Sequence, residues 1–362
     1  MATKGKAAVL VAPEKIEIEE FALPPIGADD GLLRVEATGV CGADWPLYRK
    51  EPGTWATLPL ILGHEIVGRV ERLGAEAAKR WKLKEGDRVV VEEYVPCGHC
   101  NPCLSGHYAR CHERRMYGFT SLNMAPGLWG GYSEYVYLHP HSLVHRIADS
   151  VPSKIAPLYL PLSNGIRWTQ VVGEVKIGSS VVILGPGNQG LGCVVAAKEA
   201  GAASIIIAGR SNDTNRLEVA KALGADHAIN VDTEDVVKRV REITDGAMAD
   251  TVVNVTAHAP KATQLAVDLA AQWGTVVMAG MAYGPAENYM PDVMTRKELT
   301  IKGVLGRTTR ELKHALRLLE SGKYPFEKQC THRYSIEETE RAIKTVGRQG
   351  DPGAIHVAVV NS

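Results

Sequence analysis

Residues 180–195 read SVVILGPGNQGLGCVV, and their pattern decides the fold. Val181 to Leu184 form an apolar, β-favouring run that meets a GxGxxG at once: Gly185, Pro186, Gly187, Asn188, Gln189, Gly190. An apolar stretch of helical character follows. A strand that turns through such a motif into a helix is the fingerprint of a dinucleotide site. Glycine is needed there because the backbone must turn tightly, approach a pyrophosphate closely and let helix pack on strand, while the helix N-terminus offers free N–H groups to the anion. Gly185, Gly187, Asn188, Gln189 and Gly190 are therefore candidate cofactor-binding residues.

Working outward, strand-like and helix-like runs alternate. SIIIAG (204–209) is followed by the helix TNRLEVAKALGA (214–225), HAINV (227–231) by DVVKRVREIT (235–244), TVVNVT (251–256) by KATQLAVDLAA (261–271), and then come TVVMAG (275–280) and LTIKGVLG (299–306). This repetition with short connections predicts a parallel, doubly wound α/β sheet. Before it, KIAPLYLPLSNGIRWTQVV (154–172) reads as a helix. Earlier still, KAAVLVAP, LLRVEATGV, EIVGRVERLG, DRVVVEEY and GYSEYVYL are short strands broken by Gly and Pro, the pattern of an irregular β-rich domain. After residue 305 two helices and a last strand, AIHVAVV, leave the alternation and are expected to return to the first domain. With 362 residues, too many for one core, the expected division is 1–155 with 305–362, and 156–304.

The tip of the second strand selects the coenzyme: an acid there favours a free ribose hydroxyl, an arginine a 2′-phosphate. Here the tip is Gly209, Arg210, Ser211, which leans toward NADP, although Asp213 could serve NAD if the loop folds back.

Charges balance at 41 basic and 41 acidic side chains, 23% of the chain, and 45% of residues are hydrophobic. That balance gives no footing for nucleic acid or membrane, and the N-terminal residues lack the apolar run of a signal peptide, so a cytoplasmic protein is expected.

Five of the seven cysteines lie between positions 41 and 111. Cys97, Cys100, Cys103 and Cys111 form CxxCxxC plus a fourth cysteine in a polar loop, enough to close a tetrahedron around zinc with no open position, a structural site. His99, His107 and His112 interleave them and are expected at the surface, because four sulfurs fill the shell. Cys193, in an apolar helical run, reads as a small buried hydrophobe. Cys41, His64 and Glu65 form a second set whose donor types suit a catalytic metal with an open position; by spacing alone the set is weak.

The segments GHEIVGRVERLGAEA, VCGAD, KEGDRVVV, the four-cysteine lobe, GGYSEYV, the GxGxxG and RLEVAKALGAD resemble the zinc-containing medium-chain dehydrogenase/reductase family, that of alcohol, sorbitol and threonine dehydrogenases. The resemblance runs end to end. It implies a GroES-like β-rich catalytic domain built from both chain ends, a Rossmann coenzyme domain between, a substrate cleft where they meet, and assembly into homodimers or homotetramers. It also implies structural zinc on the four cysteines and catalytic zinc on Cys41 and His64, with Glu65 as the adjoining carboxylate and Asp44 orienting the ligands.

Two positions depart from that pattern. The third zinc ligand of relatives falls on Leu160, and the proton-relay hydroxyl falls on Ala43. Either Glu65 completes the ligand set, or the zinc is lost and the chain is a zinc-independent reductase of conjugated C=C or C=N bonds. A protein that only binds a dinucleotide is the alternative of another class. The expected activity is hydride transfer between nicotinamide and a small organic alcohol or carbonyl, and a ring-bearing substrate is expected because Trp45, Tyr48, Trp55, Trp129 and Tyr132 lie in segments that line the cleft in relatives.

Overall fold

The computed structural model describes residues 3–361. The chain divides into two compact units, one of residues 1–159, 319–322 and 330–362, the other of 160–318 and 323–329.

In the first unit the main sheet runs in the order Val144–Arg146, Arg88–Val91, Glu65–Leu73, Gly31–Gly39, His356–Val360, Cys330–Tyr334, and Tyr135–Leu138 also pairs with Gly31–Gly39. The last strand of the chain pairs antiparallel with Gly31–Gly39, Ala358 opposite Gly39. On its other side Gly31–Gly39 pairs with Glu65–Leu73, Gly39 opposite Glu65. One apolar cluster is built on Val9, Leu10, Leu60, Ile61 and Val357, another on Leu33, Ile66, Val89, Trp129 and Val136.

The second unit is the doubly wound sheet that the alternation predicts. Its six parallel strands run in the order His227–Asn230, Ser204–Gly209, Ser180–Leu184, Ala249–Asn254, Ala270–Met278, Thr300–Gly303. That is the 3-2-1-4-5-6 order of a dinucleotide-binding sheet, whose switch point lies between Ser180–Leu184 and Ala249–Asn254. The central strands bury both faces, as Val181, Val182, Ile183 and Leu184 show. This explains why they read as continuous apolar runs and not as alternating ones.

The segment 154–172 is less regular than the single helix expected of it. It is a 3-10 turn (Ala156–Leu158), an α-helix (Tyr159–Ile166) and a π-helical turn (Arg167–Val172) in succession. The return near residue 305 also differs. Most of the helix Thr309–Glu320 and residues 323–329 group with the second unit. Glu311 of that helix lies 3.7 Å from Arg167, and Tyr324 donates to Glu199 at 2.5 Å. These anchors hold the segment to the coenzyme unit before Cys330–Tyr334 joins the other sheet.

Candidate active site

The four-cysteine loop lies in the first unit, after the strand Tyr94–Val95. Short helical turns at Asn101–Leu104 and Tyr108–Arg110 fold it back on itself. The Sγ atoms of Cys97 and Cys103 are 3.9 Å apart, those of Cys100 and Cys103 3.5 Å, and those of Cys100 and Cys111 4.0 Å. A tetrahedron with Zn–S bonds of about 2.3 Å has edges of about 3.8 Å, so the cage has the size that zinc demands. The backbone N–H of Cys97 donates to the Cys111 sulfur at 3.3 Å, and that of Cys100 to Cys97 at 3.4 Å. The backbone N–H of His112 helps to pull the Cys100 thiol down to about 6, toward the thiolate a metal binds. His99, His107 and His112 are exposed, outside the cage. The lobe is tied down by Tyr108, whose hydroxyl donates to buried Glu92 at 2.7 Å.

The second set comes from the ends of two neighbouring strands. Cys41 follows Gly31–Gly39, His64 and Glu65 open Glu65–Leu73, and the pairing of Gly39 with Glu65 collapses the gap between them. The ligand atoms of Cys41, His64 and Glu65 all lie within 4.8 Å of one another. Asp44 is fully buried beneath them. Its Oδ2 accepts from the Cys41 backbone N–H at 2.9 Å and from the Tyr132 hydroxyl at 2.7 Å, while Oδ1 faces His64 Nδ1 at 3.6 Å.

Polar atoms in this cluster are buried without hydrogen bonds: Asp44 Oδ1, His64 Nδ1, Glu65 Oε2 and both ring nitrogens of His356. Burial pushes the Cys41 thiol up. For His64 burial alone would lower the pKa, but Cys41 and Asp44 outweigh it and raise the imidazole well above its ordinary value. A field that holds a proton this firmly also favours a metal cation. The donor set of thiolate, imidazole and carboxylate suits zinc.

His356, in the last strand, is a residue that the sequence reading missed. Its Nε2 lies 3.6 Å from Glu65 Oε2. Burial alone would lower its pKa, but Cys330 and Glu65 outweigh that and raise it to about 9. Nothing local in AIHVAVV singles it out, because the Ala358–Gly39 pairing alone brings it to Glu65.

The aromatic residues separate. Trp129 and Tyr132 are core, and so is Tyr48, whose hydroxyl donates to Glu340 at 2.8 Å. Trp45 stacks on Tyr48 at 5.8 Å. Trp55 is the exposed one, lying parallel to Phe119 at 5.5 Å, and Phe119 in turn sits 5.1 Å from the His64 ring. Phe119 carried no sequence signal.

In the second unit the glycine turn has the shape a phosphate needs. Gly185 has φ +103°, in the left-handed region, and a Cβ on Gly190 would lie 1.9 Å from the Gly185 carbonyl oxygen. A Cβ on Gly187 would meet nothing within 4 Å, so the backbone is open to an approaching anion. The side chains of Asn188 and Gln189 are already engaged, Asn188 Oδ1 by Gln329 and Gln189 Oε1 by Asn164, each at 3.2 Å. Their backbone N–H groups remain for the ligand.

The strand tip lies against this turn, since a Cβ on Gly209 would come within 2.6 Å of Pro186. Asp213 is buried, accepting from the Arg210 N–H at 3.1 Å and capping the loop. The Arg210 side chain is 70% exposed, with Nε 3.4 Å from Asp232; Ser211 N–H donates to the same carboxylate at 2.8 Å.

A zinc-ligand set on one fold unit and a dinucleotide turn on another define a metal-associated, nicotinamide-dependent oxidoreductase. The profile of the alcohol dehydrogenase GroES-like domain matches residues 27–149, and that of zinc-binding dehydrogenases matches residues 190–321. A Mycobacterium tuberculosis protein named "probable alcohol dehydrogenase" is 42% identical over 96% of this chain and 95% of its own. An alcohol dehydrogenase of Thermotoga maritima superposes with a TM-score of 0.89 at 26% identity, covering 100% of both chains. A zinc-binding dehydrogenase of Sinorhizobium meliloti, solved with NADP, does so at 0.87 and 25%, covering 99% of this chain and 100% of its own. The chain belongs to the zinc-type medium-chain dehydrogenase/reductase family and is an alcohol dehydrogenase-like oxidoreductase. Among the described residues no helix is long and apolar enough to cross a membrane.

Proposed function

We propose that the chain oxidises a ring-bearing or otherwise apolar alcohol, or reduces the matching carbonyl, with NADP as coenzyme and with zinc held by Cys41, His64 and Glu65. The observation that carries this reading is the cluster of three ligand atoms within 4.8 Å, among buried polar atoms that have no hydrogen bonds. Glu65 supplies the protein ligand that Leu160 cannot. Bound in their sites, zinc supplies Lewis-acid polarisation of the substrate oxygen and the nicotinamide accepts or returns hydride.

The protein's own groups set the stage for both. Asp44 Oδ1 faces His64 Nδ1 at 3.6 Å, a charge contact that favours the proton on that nitrogen and leaves the other for the metal. His356 lies 3.6 Å from the Glu65 carboxylate and packs it from the side of the last strand. Phe119 and Trp55 offer a flat apolar wall beside His64, which supports a ring-bearing substrate. Cys97, Cys100, Cys103 and Cys111 keep a second, structural zinc.

Exposed Arg210, with no free acid at the strand tip, supports NADP. The edge strand Thr300–Gly303 and the exposed side chains of Ile301, Leu305 and Met281 support pairing of two copies into a homodimer.

The test is metal analysis of the purified protein together with turnover of NADP and NAD on aliphatic and ring-bearing alcohols, aldehydes and enals. The reading requires two zinc per chain and alcohol-linked reduction of NADP. One zinc per chain with activity on enals would replace it with the zinc-independent reductase; coenzyme binding without any turnover would leave only a binding protein. Light scattering in solution checks the dimer.

A further inference from the structure

The helix Tyr159–Ile166 and the helix Asn188–Glu199 that leaves the glycine turn cross in backbone contact. A Cβ on Gly165 would lie 2.3 Å from the Gly192 carbonyl carbon, and one on Gly192 would lie 2.5 Å from the Pro161 oxygen. Glycine on both sides of the crossing brings Asn164 beside the first turn of the coenzyme helix. There its Nδ2 donates to Gln189 Oε1 at 3.2 Å. Asn164 is 7% exposed, and its Oδ1 is buried without a hydrogen bond. Buried amide oxygens are nearly always paired, so an unpaired one calls for an explanation.

Position supplies one. The helix Asn188–Glu199 packs against Thr214–Leu223 on the side of the strand tip that reads the adenosine ribose. It also packs against Arg167–Val172, which continues the helix of Asn164 and touches the strand Ala270–Met278. A dinucleotide whose pyrophosphate rests on the glycine turn extends from that tip across the switch point, so its nicotinamide half runs to the Asn164 side.

We propose that Asn164, held by Gln189, is a positioning residue for the nicotinamide riboside half of the coenzyme, its amide oxygen accepting a hydrogen bond from a donor on that half. Two donors share this chemistry, a ribose hydroxyl and the carboxamide N–H. Asn164 stands one helical turn after Leu160, so the helix that lacks a zinc ligand keeps a coenzyme contact. The inference rests on the dinucleotide reading of the glycine turn.

The test is a binding titration with no substrate present, comparing wild type with Asn164→Leu and, should the larger side chain impair folding, with Asn164→Ala. The probes are the reduced coenzyme that wild type binds more tightly, NADPH or NADH, its ADP-ribose fragment, and its ADP fragment, which lacks the whole nicotinamide riboside. The variants should weaken binding of the intact coenzyme by roughly three- to tenfold, the worth of one neutral hydrogen bond. They should leave the ADP fragment unchanged. Weakened binding of the ADP-ribose fragment assigns the donor to the ribose, and unchanged binding assigns it to the carboxamide. Equal losses for the coenzyme and the ADP fragment would reduce Asn164 to a structural support of the turn and overturn the proposal, as would no loss at all. Failure of wild type to bind either coenzyme would instead overturn the dinucleotide reading beneath it.

Discussion

Replacing Asp44 by asparagine changes one atom of a buried side chain and, through His64, bears on the proposed metal site. The carboxylate makes two hydrogen bonds on Oδ2, from the Cys41 N–H at 2.9 Å and the Tyr132 hydroxyl at 2.7 Å, and presents Oδ1 to His64 Nδ1 at 3.6 Å. Asparagine satisfies the two donors only by turning its oxygen toward them, which leaves its NH2 facing His64. A ring nitrogen facing a donor must be an acceptor, so the ring proton moves to the nitrogen that the metal needs. Loss of such an outer partner typically costs ten- to a hundredfold in metal affinity, about 1.4–2.8 kcal/mol. The inverted tautomer puts Asp44→Asn at the upper end. The assay is a chelator competition that resolves two zinc sites per chain, with the four-cysteine site as an internal control. Second-site affinity within twofold of wild type, with the control site unmoved, would refute the reasoning. Tyr132→Phe removes one of the two supports of Oδ2 and should give a smaller loss in the same direction.

Arg210→Ala should raise the KM for NADP about tenfold and leave that for NAD nearly unchanged, since a charged contact to the 2′-phosphate is lost at an exposed site; equal effects on both coenzymes would remove Arg210 from that role. Asp232→Asn should shift preference further toward NADP by releasing Arg210 from its neighbour, read as the ratio of kcat/KM values. Cys103→Ser should cost one zinc per chain and lower the thermal midpoint by roughly 5 °C or more while the second zinc stays; retention of both metals would contradict the four-sulfur cage. Phe119→Ala should raise KM for a ring-bearing alcohol by about tenfold and barely affect ethanol, and parallel changes for both would show the wall to be mere packing.

Features that depend on neighbours in the chain were legible beforehand. The glycine turn, the apolar central strands and the tight cysteine spacing each concern residues a few positions apart, so local sequence carries their signal. The departures expected at Leu160 and Ala43 rest on the family resemblance and on no local pattern. Less was visible where a segment has several conformations open to it. The run 154–172 looks like one helix by composition, yet it changes pitch twice, and the chain after residue 305 stays with the coenzyme unit longer than its loss of alternation suggests.

By itself the sequence determined the strand–turn–helix dinucleotide site and the four-sulfur cage, because a phosphate cradle and a closed zinc site are built from short, contiguous chain. Only the tertiary structure decided who stands around Cys41 and His64. The pairing of Gly39 with Glu65 and with Ala358 draws in Glu65 and His356, folding of the 112–132 segment brings Phe119 and Tyr132, and a glycine crossing sets Asn164 against Gln189. These contacts join residues far apart in sequence through sheet register and close backbone approach, and no local pattern of side chains records them.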